Sequence, residues 1–216
     1  RVLGLFGCVG PGYSGARRHY VCGGATVSYV EELFGLNSVR AVVTGGAGVL
    51  PKAMAKALAR SGAAVSIWGR GRSHPVDEAV RELATEIPGS TIAGRTVDTG
   101  DEQGVREALA DTESAIGMPN VLVNGVGGSS RRAPFIDTET NDFLHVLQLN
   151  LIAGLVVPTK VFAARWIELG VKGSVINIAS MGSYLPLSGG AAYSAAKAAV
   201  LNLTYANAKE FASHGI

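Results

Sequence analysis

Three side chains in the last third of the sequence have the types and spacing to transfer a proton next to a hydride transfer. Tyr193 and Lys197 open an alanine-rich stretch that predicts a helix, and their spacing places them on one face, one turn apart. A fixed cation within about 4 to 6 Å of a phenol favours the phenolate. A positioned acid or base is worth roughly 10² to 10⁴ in rate. Ser180 ends the apolar run 174–179, which predicts a buried strand, so a hydroxyl is expected to converge with the phenol and the ammonium.

The same tyrosine–lysine spacing occurs a second time, at Tyr205 and Lys209, so the pair alone is not specific. Thirteen residues before Tyr205 the chain has Ala192, whereas thirteen residues before Tyr193 it has Ser180. Twelve residues at about 100° each also rotate the second pair by about 120° around the helix. We interpret the second pair as structural.

A glycine-rich loop, 44–51, directly follows the first predicted strand and precedes a helical pattern. Glycines in this context let the backbone approach a pyrophosphate, which the free N–H groups and positive dipole end of the helix then bind. The residues of this loop predicted to bind a dinucleotide are Gly45, Gly46, Gly48 and Leu50. Pro51 occupies the position of the usual third glycine; it suits the first helical position but adds bulk where helix and strand should approach closely. The alternative is a glycine turn without a ligand.

The end of the second predicted strand carries no acid that would bind the ribose hydroxyls of NAD. It carries Arg70 instead, whose planar fork suits a 2′-phosphate. NADP(H) is therefore favoured over NAD(H). The alternative is that Arg70 and Arg72 are solvated loop charges.

These residues together resemble the short-chain dehydrogenase/reductase family, whose members carry a serine, a Tyr-x-x-x-Lys motif and an upstream asparagine. Asn150 is the candidate for the asparagine. The resemblance implies that Tyr193 is the acid–base, that Ser180 holds the substrate oxygen and that Lys197 assists Tyr193 and binds the nicotinamide ribose, so that Tyr193 and Lys197 also contact the cofactor. It further implies that Asn150 kinks its helix and helps to hold a proton-relay water.

Two further cofactor contacts follow from the resemblance. Asp98 matches the aspartate that contacts the adenine in family members, and the segment 124–127 resembles the motif Asn-Asn-Ala-Gly. Asn124 and Gly125 are therefore predicted to contact the cofactor, with Gly125 replacing the second asparagine.

A narrower resemblance, to the D-mannonate oxidoreductase-like branch of the family, is weak and implies a keto sugar acid as substrate. The paired arginines Arg131 and Arg132 could hold the carboxylate of such a substrate. The more common alternative for such a pair is exposure to solvent, and we prefer it.

The fold class predicted by the alternation of strand-like and helix-like segments is α/β, with a single doubly wound (Rossmann) parallel sheet and helices on both faces. Strands are expected at 41–44, 64–68, 91–97, 121–126 and 174–179, and helices at 51–61, 76–86, 102–116, 141–169 and 192–212. The motifs above then lie at the carboxyl ends of the strands, where such sheets bind ligands. Residues 1–35 are expected to be an irregular extension and 36–216 the dehydrogenase domain, truncated at its C-terminus relative to the family.

Composition argues against several other classes of protein. A net charge of +2 without basic blocks does not favour nucleic acid binding, and Asn150, Lys160 and Arg165 interrupt the apolar stretch 149–167, which argues against a membrane span. The four histidines show no metal-ligand spacing, so no metal is expected. We expect a cytoplasmic enzyme acting on a small molecule, and the resemblance implies a homodimer or homotetramer. The alternatives are a catalytically silent dinucleotide-binding scaffold or sensor, and a methyltransferase with a similar glycine loop.

Overall fold

The computed structural model describes residues 29–129 and 132–216 and divides the chain into two compact units, Arg1–Gly35 and Leu36–Ile216. The expectation for residues 1–28 lies outside the described residues. Within the first unit, Tyr29–Phe34 forms a short helix, α1, which differs from the irregular structure expected there.

The second unit contains a five-stranded sheet in which every pairing is parallel. Its strands are β1 Arg40–Thr44, β2 Ala64–Gly69, β3 Ile92–Thr96, β4 Val121–Asn124 and β5 Ser174–Asn177. The order β3-β2-β1-β4-β5 reverses direction between β1 and β4, because the chain crosses over the sheet after β3. A crevice at such a reversal is where open α/β sheets bind ligands. The structure confirms the predicted fold class.

Helices cover both faces of the sheet. They are α2 Val49–Arg60, α3 Val76–Glu86, α4 Glu102–Ile116, α5 Thr140–Leu147, α6 Val157–Leu169 and α7 Ala191–Phe211, with short 3₁₀ helices at Phe135–Asp137, Met181–Ser183 and Ala212–His214. The helix α4 begins where the side chain of Asp101 accepts a hydrogen bond from the Gln103 amide at 3.1 Å.

Adjacent residues of the central strands supply two separate cores. Val42 packs with Phe162 and Trp166 on one face, whereas Val43 packs with Leu83 and other apolar residues on the opposite face. This division follows from the alternation of side chains along a strand. The two cores fix the sheet between its helical layers and hold the carboxyl ends of the strands level with one another.

The predicted long helix 141–169 is interrupted. Its middle, Gln148–Val156, has π-helical hydrogen bonding and joins α5 to α6. By length and composition the whole segment Thr140–Leu169 could cross a membrane, but 61% of its most apolar window is buried inside the fold. This burial fits the core helix of a globular domain.

Candidate active site

A cleft of about 660 Å³ lies at the carboxyl ends of β1, β2, β3 and β4. Five of the residues predicted to bind a cofactor line it: Gly45, Gly48, Arg70, Asp98 and Gly125. Gly46, Leu50, Asn124, Asn150, Ser180, Tyr193 and Lys197 are not among the lining residues. Gly127 also lines the cleft, and a Cβ at this position would lie 2.7 Å from Asn150 Oδ1 and 3.2 Å from Lys197 Nζ.

Gly46 was predicted to bind the dinucleotide, but it does not line the cleft. It packs beneath the loop, against β2. Its amide donates to the Trp68 carbonyl at 3.0 Å, and a Cβ at this position would lie 2.6 Å from the Cβ of Ile67. Glycine is therefore required here for the loop to approach the sheet closely. The amide of Gly48 donates to the Gly45 carbonyl at 2.8 Å and caps the start of α2.

Pro51 is the third residue of α2 and not the first, because the helix already begins at Val49. Its ring lies against Gly125: a Cβ at position 125 would be 2.9 Å from the Cβ of Pro51 and 2.5 Å from the Thr44 carbonyl oxygen. The absence of a side chain at Gly125 therefore leaves room for the proline ring. Gly125 is the residue that replaces the second asparagine of the Asn-Asn-Ala-Gly motif. Proline has no N–H, so the free backbone donors at the start of α2 are the amides of Val49 and Leu50, which precede the first intrahelical bond.

The opposite end of the cleft is rich in charge. Arg70 lies at the end of β2, and its Nη1 is 4.0 Å from Oδ2 of Asp98, with both side chains about half exposed. The other carboxylate oxygen of Asp98 accepts from the Gly100 amide at 2.9 Å. Arg72 and His74 also line this end. Such a set of donors suits a phosphate.

The side chain of Asn124 does not line the cleft. Its side chain is buried behind the cleft, where Nδ2 donates to Thr159 Oγ1 at 2.9 Å and to Asn177 Oδ1 at 2.8 Å. Asn124 therefore ties β4 to the structure beneath it and does not reach the cleft.

Ser180 follows β5 and caps the 3₁₀ helix Met181–Ser183. Its Oγ accepts a hydrogen bond from the Gly182 amide at 3.1 Å, which leaves the hydroxyl proton available to a substrate oxygen. The Ser183 hydroxyl accepts from the Ser180 amide and donates to the carbonyl of Lys197 at 2.9 Å. The turn that carries Ser180 is thereby bonded to the helix that carries Lys197.

Lys197 is buried, with 5% of its surface exposed, and its Nζ donates to the Ile178 carbonyl at 2.8 Å. Burial lowers the pKa of this ammonium below its ordinary value. Nζ lies 5.9 Å from the centre of the Tyr193 ring, which packs against the buried residues Val146, Ala192 and Ala196. The second pair is different: Tyr205 is 64% exposed on another part of α7.

Asn150 lies in the π-helical segment and is 1% exposed. Its side chain makes two hydrogen bonds with one backbone unit: Nδ2 donates to the Gly128 carbonyl at 2.7 Å, and Oδ1 accepts from the Gly128 amide at 3.1 Å. Nδ2 also donates to the Val146 carbonyl at 3.0 Å. Asn150 therefore holds the loop after β4 against the interrupted helix.

Comparison with known proteins decides the family. The family model of the short chain dehydrogenases matches residues 39–216. The chain belongs to the short-chain dehydrogenase family. It is an oxidoreductase of the class that acts on CH–OH groups. This membership excludes the methyltransferase alternative.

Several relatives of this short-chain dehydrogenase are named for sugar acids. It is 32% identical to 2-dehydro-3-deoxy-D-gluconate 5-dehydrogenase of Formosa agariphila and 34% identical to gluconate 5-dehydrogenase of Gluconobacter oxydans. The matches cover 86% of this chain and 68% and 70% of those proteins. A crystal structure of a putative NAD(P)-dependent gluconate 5-dehydrogenase from Beutenbergia cavernae, with NADP bound at low occupancy, is 34% identical with a TM-score of 0.74. That match covers 84% of this chain and 70% of the other.

Sequence reasoning missed the serines that assemble the short-chain dehydrogenase site. Ser183 joins the Ser180 turn to α7, and Ser194 Oγ accepts from the Leu187 amide at 3.1 Å. The spacing of Ser180 and Ser183 matches a capping box, which is a local signal that could have been found. The bond from Ser194 is not a local pattern. Among the described residues there is no group of histidine, cysteine and acidic side chains that could hold a metal.

The lowered pKa of Lys197 predicts a specific dependence of stability on pH. Between that lowered value and the ordinary 10.5 the unfolded chain binds the proton and the folded chain does not, so the free energy of unfolding should rise with pH. Each unit of pKa lowering contributes about 1.4 kcal/mol. Lys197→Met should remove this rise, measured by urea unfolding at a series of pH values. Lys209→Met removes an exposed lysine of the same helix and should keep the wild-type slope; an unchanged slope in Lys197→Met would contradict the assignment.

Proposed function

We propose that the protein transfers a hydride between NADP(H) and a secondary alcohol or ketone, with a polar, sugar-like acid as substrate. The observation that carries the proposal is the position of the Lys197 ammonium. The ammonium donates to the Ile178 carbonyl and lies beside the Tyr193 ring. Ile178 belongs to the same segment as Ser180. A buried cation next to a phenol is an arrangement that suits proton transfer.

Each of the three side chains would have one task. Ser180 would donate its free hydroxyl proton to the substrate oxygen, since its lone pair is engaged by the Gly182 amide. Tyr193 would give a proton to that oxygen in ketone reduction or take one in alcohol oxidation. Lys197 would stabilise the phenolate form of Tyr193.

The cleft would hold the dinucleotide, which supplies the hydride chemistry when bound. The backbone of the 45–50 loop would bind the pyrophosphate, and Gly125 would lie along the cofactor. Asp98 would contact the adenine, and Tyr193 and Lys197 would contact the nicotinamide ribose. Arg70, with Arg72 beside it, supports a preference for the 2′-phosphate of NADP(H).

The loop after β4 supports an acidic substrate. Ala133 donates its amide to the Gly189 carbonyl at 3.1 Å, and a Cβ at Gly189 would lie 3.4 Å from the Cβ of Arg132. Arg132 is exposed to solvent, as the preferred alternative expects, and it lies just before α7, the helix of Tyr193, where an incoming acid could still reach it. Arg131 lies outside the described residues. The two relatives above are named for sugar acids, which agrees with a carboxylate-binding arginine.

The assembly and location are also proposals. A groove between α6 and α7, lined by Leu155, Ile167 and Phe211 among others, is compatible with helix packing in a homodimer or homotetramer. We propose that the protein is cytoplasmic, with a small molecule as substrate and without nucleic acid or membrane partners.

Tyr193→Phe should lower kcat by about 10² to 10⁴ because the acid–base hydroxyl is lost. NADPH binding, measured by fluorescence titration, should weaken by no more than about tenfold, which is the loss of one hydrogen bond to the ribose. Tyr205→Phe is the matched control, because it makes the same change in the second tyrosine–lysine pair, and it should retain wild-type turnover. If the wild-type protein binds NADPH but reduces no carbonyl compound, the catalytically silent scaffold would be favoured instead.

Arg70→Ala should weaken the binding of NADPH about tenfold or more while changing the affinity for NADH less than twofold, since only NADPH carries the 2′-phosphate. The Kd values of both cofactors would be measured by titration. Arg81→Ala, which removes an exposed arginine of α3, is the control. An equal loss for both cofactors would contradict the role of Arg70.

Arg131→Ala and Arg132→Ala should raise KM for a keto sugar acid and leave KM for a neutral ketone unchanged, because only the acid carries the carboxylate. An increase of about tenfold is expected for Arg132→Ala. Steady-state kinetics with NADPH measure both constants. Equal changes for the two substrates would refute carboxylate binding by this loop.

A further inference from the structure

A chain of side-chain hydrogen bonds lies beneath the site and connects four elements. Asn124 at the end of β4 is 2% exposed, and its two amide hydrogens go in different directions. One is donated to Thr159 on α6 at 2.9 Å and the other to Asn177 at the end of β5 at 2.8 Å. Asn177 in turn donates to the hydroxyl of Thr204 on α7 at 3.0 Å. The network therefore has one branch to α6 and one branch to α7.

In the α7 branch, the donor and the acceptor of each hydrogen bond are fixed. The Thr204 hydroxyl donates its own proton to the Val200 carbonyl at 2.7 Å, so it receives the Asn177 amide on a lone pair. Thr204 follows Lys197 by seven residues and Tyr193 by eleven. At about 100° per residue both intervals bring it within roughly 20° of the same helical face. Thr204 thus lies on the face of α7 that carries the tyrosine and the lysine.

Two neighbouring residues of the β5 segment hold α7 at two heights. The Ile178 carbonyl accepts from Lys197, and the Asn177 side chain donates to Thr204, about 10 Å farther along the helix axis at 1.5 Å per residue. One such bond would permit the helix to pivot about it. Two bonds at different heights fix both the axial position and the tilt of the helix relative to the strand that leads to Ser180.

We propose that Asn177 and Thr204 are positioning residues that set the register of the catalytic helix against the dinucleotide-binding strand. Asn124 begins the segment that lines the cleft at Gly125, and Asn177 transmits its position to α7. The proposal rests on the proposed function for its kinetic consequence. Its structural part, the placement of Lys197, is independent of turnover.

Thr204→Val removes the acceptor for Asn177 with little change in shape. The C-terminal half of α7 should then lose its fixed position relative to β5. With D-gluconate and NADP⁺ as probes, kcat should fall about tenfold, in line with the sensitivity of rates to misplaced groups. KM and the Kd of NADPH should stay within about twofold, because the cleft is not altered. Thr204→Ser retains the hydroxyl and should restore kcat.

Thr159→Val is the matched control, since it removes the other threonine bonded to the same network, on a helix without site residues. It should lower the melting temperature and leave kcat within about twofold of the wild type. If either valine variant fails to fold, the pair Thr204→Ala and Thr159→Ala makes the same comparison. Equal losses of kcat in the two variants would show that the α7 branch has no positioning role of its own, and unchanged kcat in both with lowered melting temperatures would show that the network serves stability alone. Either result would overturn the proposal.

An NMR titration of the Lys197 side chain, through its ¹³Cε resonance assigned with Lys197→Arg, provides the readout that does not need turnover. Burial lowers the pKa of Lys197 in the wild type. In Thr204→Val the pKa should move back towards 10.5, and in Thr159→Val it should not move. A wild type that turns over no sugar acid and no neutral ketone with NADPH or NADP⁺, combined with this shift, would refute the proposed function and keep the positioning role. An unchanged titration in Thr204→Val would overturn the positioning role itself.

Discussion

The burial of a single ammonium group organises the site. An ammonium is costly to remove from water unless it is bonded, and here the Ile178 carbonyl compensates Lys197. The backbone carbonyl of Lys197 accepts in turn from Ser183. The lysine is thereby bonded through both its side chain and its backbone to the segment 178–183, which ties α7 to the turn of Ser180. The same desolvation that costs stability strengthens the interaction between the cation and the nearby phenol.

Much of the fold could be predicted because its signals are local. Buried β-branched runs located all five strands, and the bounds of α3 and α4 agree with the sequence pattern to the residue. Two features could not be predicted in this way. The start of α2 was missed because Gly48 caps it through its backbone, without a side-chain signal. The π-helical segment has no local signal in the sequence: Asn150 within it pairs with Gly128, 22 residues away, and only the family resemblance implied a kink at this point.

The site shows the same division between local and long-range causes. The spacing of Tyr193 and Lys197 predicted that they lie near each other on one helical face, and the Lys197 ammonium is 5.9 Å from the centre of the Tyr193 ring. That Ser180 acts with them stays a prediction. Gly46 and Asn124 were expected at the cleft, but the structure places both beneath it. Which side of an irregular loop faces a ligand is decided by packing against other elements, here Ile67 in one case and Asn177 in the other.

The contact between Pro51 and Gly125 constrains how this sequence can change. The two residues are 74 positions apart, yet a side chain at the second position would overlap the ring at the first. Both depart from the common family motifs. The glycine also meets a second constraint, because a Cβ at position 125 would lie 2.5 Å from the Thr44 carbonyl oxygen, whatever residue stood at position 51. Exchanging one of these loops with a relative, without the other, would join two surfaces that do not match.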